Sequence, residues 1–361
     1  MQRFLYITNS VEEHAYGGRE QLTRLMRAAM AAILGDRVQV MVLGGSSRPG
    51  LAGLLERLNG HVDGASSQSI ATVLDMIDHA QVGHVFINGS NLGKVASAIR
   101  NKYPQVQITT FFHNCEARFF LGAARRALTL HALGVLLANY VAERAAVRSS
   151  DIRIALNERD SDVLQKVYGR SATHLLPMAV ADLLPASVVV VERPLPEPYI
   201  LFVGGSFYAN LAGFSWFAEQ VAPSLQVKTV AVGKGLAACK EQLERHRNVH
   251  IIGAVDDLAP WYAGALCAIA PIFDGSGMKT KVAEAMMFGK RMVGTPEAFA
   301  GYEGVAAQVG SICHTAEDFV AALSAVSREA RTDFDPHLRA LYERDFSEAA
   351  LQARLRAIIG A

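Results

Sequence analysis

The residues best suited to chemistry lie in one stretch, Pro271–Met286, which reads PIFDGSGMKTKVAEAM. An apolar strand is predicted to end at Pro271, and a Gly-Ser-Gly turn then leads into a predicted helix. The start of a helix presents free backbone N–H groups and about half a positive charge from the helix dipole, which suits a diphosphate. Lysines oppose that dipole, so Lys279 and Lys281 are easier to explain where an anion binds.

Two further charged side chains belong to the same prediction. Glu284 lies deeper in the predicted helix, where it either accepts hydrogen bonds from a pair of sugar hydroxyls or forms an ion pair with Lys279 or Lys281. Lys234 follows a predicted strand, and its ammonium group either meets a phosphate or stays in solvent. The sequence leaves both alternatives open.

Paired glycines follow an apolar strand at two places, Gly17-Gly18 and Gly204-Gly205. Glycine lets the backbone approach a ligand closely, and a helix is predicted to begin after each pair. Asn210 is predicted to cap the second of these helices. A ligand site and a plain tight turn both explain the pairs.

The first half of the chain has its own candidate site at the end of the apolar strand Val106–Phe112. His113 follows directly, and a histidine at the carboxyl end of a strand can hydrogen-bond a sugar hydroxyl or move a proton near neutral pH. Glu116 and Arg118 are secondary candidates for ligand contacts. Glu158 precedes a predicted helix and is either a capping carboxylate or a site residue.

Residues 117–150 form a basic and apolar segment. They contain five arginines and one acid, Glu143, for a local net charge of +4 in a chain whose total is +1. The apolar run inside this segment is interrupted by polar residues and is shorter than the about 20 residues that span a bilayer. Residues 117–148 therefore either contact an anionic membrane surface or form a buried helix with solvated arginines at its ends.

These candidate residues need a scaffold that brings strand ends together. Apolar runs alternate with helical patterns, which predicts parallel sheets covered by helices on both faces. We predict an α/β protein with two Rossmann-like doubly wound domains, 1–182 and 199–335, joined by a proline-rich hinge over 183–198. A helix over 336–361 is predicted to fold back on the first domain. Ligands of such sheets bind beyond the carboxyl ends of the strands, so the two domains are expected to face one central cleft.

The composition argues against several other classes of protein. Lys and Arg number 35 against 34 Asp and Glu, which disfavours a nucleic-acid partner and leaves only local patches of charge. Four cysteines without a C-x-x-C pair make a disulfide scaffold or a structural zinc site unexpected and fit a reducing compartment. The first residues lack a secretory signal pattern, so we expect a cytoplasmic protein.

The stretch DGSGMKTKVAEAMMFGK at Asp274–Lys290, followed by VGTP at Val293–Pro296, resembles the donor-binding signature of glycosyltransferases with the GT-B fold. It is most similar to the retaining nucleotide-sugar transferases called glycosyltransferase group 1. The resemblance extends to Tyr199–Gly204 and Asn210, and more thinly to the first half of the chain. It implies that the C-terminal domain binds the nucleotide sugar and that the N-terminal domain binds the acceptor.

The resemblance also implies roles for individual residues. The implied donor-binding set is Gly18, Gly204, Gly205, Asn210, Lys234, Asp274, Gly275, Ser276, Gly277, Met278, Lys279, Lys281 and Glu284. The implied acceptor set is Gly17, His113, Glu116 and Arg118, and the implied catalytic set is His113, Lys281 and Glu284. Amides near Gly277 would contact the diphosphate, with Lys279 or Lys281 as the countercharge. Glu284 matches the family's ribose-binding glutamate.

One position departs from the family pattern. Many members carry a second glutamate eight positions before the ribose-binding one, where this chain has Ser276. The sugar contacts of that glutamate are expected here from Asp274 or from backbone groups. No Asp-x-Asp motif occurs near these turns, in keeping with the metal-independent catalysis that the GT-B fold implies.

We therefore predict a retaining glycosyltransferase that moves a hexose-type sugar from a nucleotide diphosphate sugar to a hydroxyl group, with no metal and no resident cofactor. The expected acceptor is a saccharide or a lipid-linked saccharide in polysaccharide or glycan assembly, in the cytoplasm or at the inner face of the plasma membrane. Two alternatives remain: a non-hydrolysing nucleotide-sugar 2-epimerase, and a non-catalytic protein that binds sugar nucleotides.

Overall fold

The computed structural model describes residues 2–9, 18–44, 50–126, 128–184, 193–328 and 333–361. Backbone contacts divide the chain into two compact units, Met1–Met178 with Leu351–Ala361, and Ala179–Ala350. Within these described ranges, each unit holds a parallel sheet of six strands, as predicted for two Rossmann-like domains. Gly17 and residues 185–192 of the predicted hinge lie outside the described residues.

The first unit alternates strands and helices. Its strands are β1 (Arg3–Asn9), β2 (Val38–Leu43), β3 (Val82–Asn88), β4 (Gln107–Phe112), β5 (Ile152–Ala155) and β6 (His174–Leu175). Its helices are α1 (Gly18–Leu34), α2 (Gly50–Leu58), α3 (Ser67–Ala80), α4 (Gly93–Lys102), α5 (Glu116–Arg126), α6 (Leu130–Ser149) and α7 (Glu158–Tyr168). The strand order β2-β1-β3-β4-β5-β6 reverses direction between β1 and β3. The ends of β1, β3 and β4 are therefore neighbours.

The core of this unit follows from helices that cover both faces of the sheet. β1 and β3 are buried along nearly their whole length, because side chains on both faces of a parallel strand pack against helices. Tyr6 and Phe86 stack on one face with ring centroids 5.6 Å apart. On the helix side, a Cβ at Gly93 would lie 1.9 Å from the carbonyl oxygen of Ala142, so a glycine lets α4 pack closely on α6.

The second unit repeats the pattern. Its strands are β7 (Tyr199–Val203), β8 (Lys228–Val232), β9 (Val249–Gly253), β10 (Ala265–Ala270), β11 (Met292–Gly294) and β12 (Gly310–Ile312). Its helices are α8 (Tyr208–Gln220), α9 (Lys240–Leu243), α10 (Ala259–Gly264), α11 (Thr280–Met287), α12 (Ala306–Val309), α13 (Ala316–Arg328) and α14 (Pro336–Asp345), and the chain ends with α15 (Glu348–Ile359). The strand order β12-β11-β10-β7-β8-β9 reverses between β7 and β10.

The end of the chain differs from the prediction of one helix. α14 ends at Asp345, and a second helix begins because the hydroxyl oxygen of Ser347 accepts a hydrogen bond from the N–H of Ala350 at 3.2 Å. α14 belongs to the second unit, whereas Leu351–Ala361 belongs to the first. The contacts thus place the unit boundaries after residues 178 and 350, whereas the sequence predicted domain boundaries after residues 182 and 335.

Candidate functional site

Two loops flank the reversal of strand order in the second sheet. Residues 204–207 follow β7, residues 271–279 follow β10, and these two strands are hydrogen-bonded neighbours. In doubly wound sheets, ligands bind beyond the carboxyl ends of the strands at this point. Both loops carry residues of the predicted donor set, so the topology brings them to the same edge of one sheet.

The glycine pair after β7 packs against the loop that follows β8. The N–H of Gly204 donates to the carbonyl oxygen of Val232 at 2.9 Å, and the N–H of Ser206 donates to that of Lys234 at 2.9 Å. A Cβ at Gly233 would lie 2.0 Å from the carbonyl oxygen of Gly204. The close approach of the two loops therefore gives these glycines a structural reason, and the side chain of Lys234 lies exposed at the same edge.

The prediction that Asn210 caps α8 is wrong. α8 begins at Tyr208 with Phe207 in the cap position, so Asn210 lies in the first turn. Its Nδ2 donates to the carbonyl oxygen of Gly205 at 3.1 Å, and its Oδ1 accepts a hydrogen bond from Nζ of Lys281 at 2.8 Å. Asn210 thus links the turn after β7 to helix α11.

The loop after β10 turns through two glycines in conformations that favour glycine. Gly275 has φ +131° and Gly277 has φ +65°. A carboxylate oxygen of Asp274 accepts the N–H of Gly275 at 2.7 Å, which shapes the turn from within. Ser276 is half-buried in this turn. The loop then delivers the chain to the start of α11, as the sequence predicted.

Lys279 folds back on this loop. Its Nζ donates to the carbonyl oxygens of Ser276 and Gly277 at 3.4 and 3.1 Å. It also forms an ion pair with Glu297 at 2.9 Å, and Met278 beside it is buried. The charge of Lys279 is therefore already balanced, and the side chain holds the loop in shape.

Lys281 lies in a different environment. Its side chain is 8% exposed, and Nζ lies 4.8 Å from the centre of the Phe202 ring in addition to its bond with Asn210. Burial lowers the pKa of Lys281 to about 7, although the nearby Glu284 favours the charged form. Burial also raises the pKa of Glu284 on the same helix. Two buried groups with perturbed pKa values at the end of a sheet are typical of a functional site.

Sequence reasoning missed Gly213 in α8. A Cβ at this position would lie 1.7 Å from the carbonyl oxygen of Pro271, so the helix packs directly on the start of the loop after β10. Glycine inside a helix costs stability relative to alanine, and that cost was the signal in the sequence. Gly213 therefore lets α8, which carries Asn210, pack closely on the loop that leads to Lys281.

The first sheet has a polar cluster at its own reversal point. Asn88, the last residue of β3, donates from Nδ2 to the hydroxyls of Thr8 and Thr23 at 3.3 and 3.2 Å. Its Oδ1 faces Nε2 of His113, which follows β4, at 3.1 Å. The ring of Phe111 packs edge-on against the imidazole with centroids 4.8 Å apart. Sequence reasoning found His113 but missed Asn88, although a polar residue that ends a buried strand was a usable signal.

The contact with Asn88 determines the tautomer of His113. An amide oxygen only accepts, so Nε2 carries the proton and Nδ1 is an unprotonated acceptor. Nδ1 is buried and has no hydrogen-bond partner among the described residues. Burial, together with the charge of Arg19, lowers the pKa of His113 to about 3. The imidazole is therefore neutral near pH 7, which favours a hydrogen-bonding role over proton transfer.

Glu143, the one acid in residues 117–150, lies within α6 and caps the start of the neighbouring helix α5. Its carboxylate accepts the N–H groups of Glu116 and Ala117 at 3.0 and 3.1 Å, which satisfies the start of α5. It also accepts the hydroxyls of Ser90 at 2.9 Å and Tyr168 at 2.7 Å. Burial nevertheless raises the pKa of Glu143. The sequence analysis counted Glu143 only as a negative charge. An isolated acid within an apolar helix could have indicated a buried structural role for this residue.

Glu116 itself turns toward a cavity of about 520 Å³ whose lining residues all belong to the first unit. The side chain is buried, and burial raises its pKa to about 7 although the charge of Arg19 opposes this shift. A carboxyl group that is half protonated near neutral pH both donates and accepts hydrogen bonds. Glu116 is therefore suited to bind a hydroxyl group.

Replacing Glu116 with glutamine is expected to change how stability depends on pH. The folded-state pKa of about 7 exceeds the ordinary value of 4.5, so the carboxyl favours folding below pH 4.5, and this contribution is lost as the pH rises through 7. The unfolding free energy of E116Q minus that of the wild type should rise between pH 4.5 and 7 and then level off. Denaturant unfolding across this range measures it, with Glu56→Gln at a half-buried position of the same cavity as the control. A difference that is constant with pH would contradict the assigned environment.

Three other predicted residues lie apart from these groups. Arg118 is exposed on α5 and is not part of the cavity lining, and Gly18 is the first residue of α1. Glu158 is exposed at the start of α7, where Asn157 supplies the cap by accepting the N–H of Asp160 at 2.8 Å. In the part of the chain that the structure describes, no group of three or more His, Cys, Asp or Glu side chains is arranged to hold a metal ion.

Comparison with known proteins identifies the class. Residues 197–329 match the family model of glycosyl transferases group 1. The chain thus carries a glycosyl transferases group 1 domain, which confirms the resemblance and the prediction of a glycosyltransferase enzyme. A search of curated protein sequences finds no significant match.

Solved structures share the fold over the whole chain. Sucrose-phosphate synthase from Thermosynechococcus elongatus is 16% identical with a TM-score of 0.73, covering 99% of this chain and 98% of that one. HepE from Anabaena in complex with UDP-glucose is 13% identical with a TM-score of 0.65, covering 99% of both chains. Trehalose 6-phosphate synthase from Burkholderia multivorans is 11% identical with a TM-score of 0.65, covering 100% of this chain and 98% of that one. The predicted GT-B architecture of two Rossmann-like domains is confirmed.

Proposed function

We propose that this enzyme transfers a sugar from a nucleotide diphosphate sugar to a hydroxyl group of an acceptor. The observation that carries the proposal is the buried Lys281, held by Asn210 at the start of α11 and at the reversal point of the second sheet. This position lies within the segment that matches the group 1 family. The fold is shared with HepE, which binds UDP-glucose, and this likeness supports a nucleotide-sugar donor.

The donor residues act on the leaving group in this proposal. Negative charge develops on the diphosphate as the bond to the sugar breaks, and preorganised donors at that position lower the barrier. The amides around Gly277 and the ammonium of Lys281 supply these donors. Glu284 accepts hydrogen bonds from the ribose hydroxyls, and Asp274 or backbone groups contact the sugar where the family carries a glutamate instead of Ser276.

The proposal also covers the acceptor and the stereochemical outcome of the transfer. Nδ1 of His113 and the carboxyl of Glu116 bind hydroxyl groups of a saccharide or a lipid-linked saccharide, as in polysaccharide or glycan assembly. Transfer retains the anomeric configuration, in line with the family resemblance. The proposal includes no metal ion and no resident cofactor, in line with the metal-independent catalysis that the GT-B resemblance implies, and the nucleotide sugar acts as a co-substrate.

We also propose that the enzyme works in the cytoplasm, at the inner face of the membrane through residues 117–148. In the described residues, no helix combines the length and the apolar character that crossing a membrane requires. Contact at the surface is supported by exposed leucines on α5 and α6 and by the exposed arginines Arg125 and Arg144.

Thermal shift with nucleotides tests the donor assignment. A nucleotide present at 100 times its dissociation constant stabilises the folded protein by about 2.7 kcal/mol. We expect UDP, GDP or ADP, or a sugar derivative of one of them, to raise the melting temperature, with nucleosides that lack phosphates as the control. No shift with any nucleoside diphosphate would overturn the proposal.

Two incubations separate the alternative activities. UDP-N-acetylglucosamine alone should remain unchanged, whereas a 2-epimerase would interconvert it reversibly with its epimer. A single-turnover reaction with the donor that binds should release free nucleotide in the presence of acceptor, which a non-catalytic binding protein would not do.

A further inference from the structure

The loop after β10 is held at both ends by residues 295–302, which follow β11. The hydroxyl of Thr295 donates to the carbonyl oxygen of Ile272, near the start of the loop. The hydroxyl of Tyr302 donates to the carbonyl oxygen of Lys279 at 2.9 Å, at the end of the loop. Both of these donor side chains are buried. One short segment of the chain therefore fixes the loop that leads into α11.

Glu297 lies in the same segment and reaches the middle of the loop through Lys279. Its carboxylate accepts a hydrogen bond from Nζ of Lys279 at 2.9 Å, and the two side chains are only 17% and 13% exposed. The same Nζ donates to the carbonyl oxygens of Ser276 and Gly277. An unpaired charge in such a poorly solvated position is costly, so the ion pair keeps the long lysine side chain in one place. Glu297 thereby holds the ammonium group against two successive carbonyl groups.

The direction of these two carbonyl groups determines where the next two N–H groups point. A trans peptide unit is planar, and its C=O and N–H bonds point in opposite directions. The described part of the chain contains no cis peptide bond. Because the carbonyls of Ser276 and Gly277 face Nζ of Lys279, the N–H groups of Gly277 and Met278 point to the opposite side of the loop.

These two N–H groups have no acceptor among the residues that the structure describes. Gly277 and Met278 are both buried, and neither N–H donates a hydrogen bond within that part of the chain. Buried N–H groups without a partner are rare, since each costs free energy unless a ligand or a water molecule accepts its hydrogen bond. They lie just before α11, whose dipole adds a partial positive charge. Two successive N–H groups at such a place suit the oxygens of an anion.

We propose that Glu297 is a positioning residue of the donor site, which acts through Lys279 to direct the N–H groups of Gly277 and Met278 at the diphosphate. The inference rests on the proposed function, because that function supplies the diphosphate. Lys279 is then a positioning residue as well, since its charge is balanced by Glu297 and its hydrogen bonds lie within the loop. The positive charge that faces the diphosphate comes from Lys281.

The sign of one effect distinguishes positioning from simple electrostatics. Glu297→Ala removes a negative charge near an anion site, which on electrostatic grounds alone would strengthen diphosphate binding. Positioning predicts the reverse, because Nζ loses its partner and the two peptide units lose their orientation: the dissociation constant should rise about tenfold. Calorimetry measures it with whichever of UDP, GDP and ADP raises the melting temperature of the wild type. Unchanged or tighter binding by Glu297→Ala would overturn the proposal.

Further variants make this result specific to the ion pair. Glu297→Gln keeps an acceptor oxygen for Nζ, so its affinity should lie between those of the wild type and Glu297→Ala. In a Lys279→Met background, Glu297→Ala should have no further effect, whereas a general loss of stability would add to the effect of the first substitution. Glu317→Ala removes an exposed acid of α13 in the same unit and should leave the affinity unchanged. Additive effects at positions 279 and 297 would count against a positioning role.

The amide of Met278 reports on its orientation directly. In protein isotopically labelled only at its methionine amides, the resonance of Met278 is identified by its absence in Met278→Leu. Saturation with the nucleoside diphosphate should shift this resonance in the wild type and shift it less in Glu297→Ala. An equal shift in the two proteins would show that the N–H group keeps its direction without Glu297, which the proposal forbids.

The two proposals fail in different ways. If none of the nucleoside diphosphates binds to the wild type, the donor assignment is wrong and the positioning role is wrong with it. If one of them binds to the wild type and to Glu297→Ala equally well, only the positioning role is wrong and the proposed transfer stands.

Discussion

Replacing Lys281 with methionine is expected to lower the rate of sugar transfer by about 100-fold or more, the effect of removing one group that stabilises charge in a transition state. In the wild type, Nζ lies 2.8 Å from Oδ1 of Asn210 and 4.8 Å from the centre of the Phe202 ring. Methionine preserves the buried apolar stem and removes only the ammonium group. Initial rates with the nucleotide sugar that binds in thermal shift measure the effect.

The same lysine should make nucleotide binding depend on pH. Burial lowers the pKa of Lys281 to about 7, so the unliganded site loses this positive charge as the pH rises above 7. A bound diphosphate favours the protonated amine, so the wild type should take up protons on binding the nucleoside diphosphate that raises its melting temperature, written as UDP below, and should bind it less tightly at pH 9 than at pH 7. Lys281→Arg keeps its charge over this range and should flatten the dependence. Calorimetry in buffers of different ionisation enthalpy measures both quantities.

Two further variants make this test specific. Lys240→Met removes an exposed lysine of α9 in the same unit and should leave UDP affinity and transfer unchanged. Asn210→Ala removes the acceptor that holds Nζ and should weaken UDP binding without removing the charge. A Lys281→Met enzyme with a native melting profile and wild-type affinity for UDP would contradict the donor site.

Replacing His113 with alanine is expected to lower kcat/KM by about 10- to 100-fold, which corresponds to about 1–3 kcal/mol for a lost buried hydrogen bond. The reason is the geometry of the ring. Nε2 donates to Asn88, so the buried Nδ1 is left to accept a hydrogen bond from a substrate hydroxyl. Steady-state kinetics with saturating donor and varied acceptor measure the loss.

Isosteric variants distinguish hydrogen bonding from proton transfer at His113. An asparagine side chain carries an amide oxygen close to the position of Nδ1, so His113→Asn should retain more activity than His113→Ala. The pKa of about 3 keeps the imidazole neutral from pH 5 to 8, so the wild-type profile should contain no step due to His113. A step in that range that disappears in His113→Asn would contradict the hydrogen-bonding role. His79→Asn, at an exposed histidine of α3 in the same unit, is the control.

Much of the fold followed from local patterns. Buried parallel strands are mostly apolar, as in Phe4–Ile7 and Tyr199–Val203, and glycine turns mark their ends, so consecutive residues are enough to predict each strand-turn-helix unit. Short elements were harder to predict from the sequence. The strand β12, for example, has only three residues, which are too few to show a hydrophobic periodicity. The last two helices, α14 and α15, were predicted as a single helix, because only a short break with the cap residue Ser347 separates them.

By itself, the sequence determined the two α/β domains and the glycine-rich loop that leads into a basic helix start. Tertiary structure alone decided which lysine of that helix start is paired and which is buried. Lys279 and Lys281 are the same residue type two positions apart, yet one bonds Glu297, 18 residues away, and the other bonds Asn210, 71 residues away. Burial and partners shift a pKa, and both are set by neighbours that are distant in the sequence, so no local pattern carries that information.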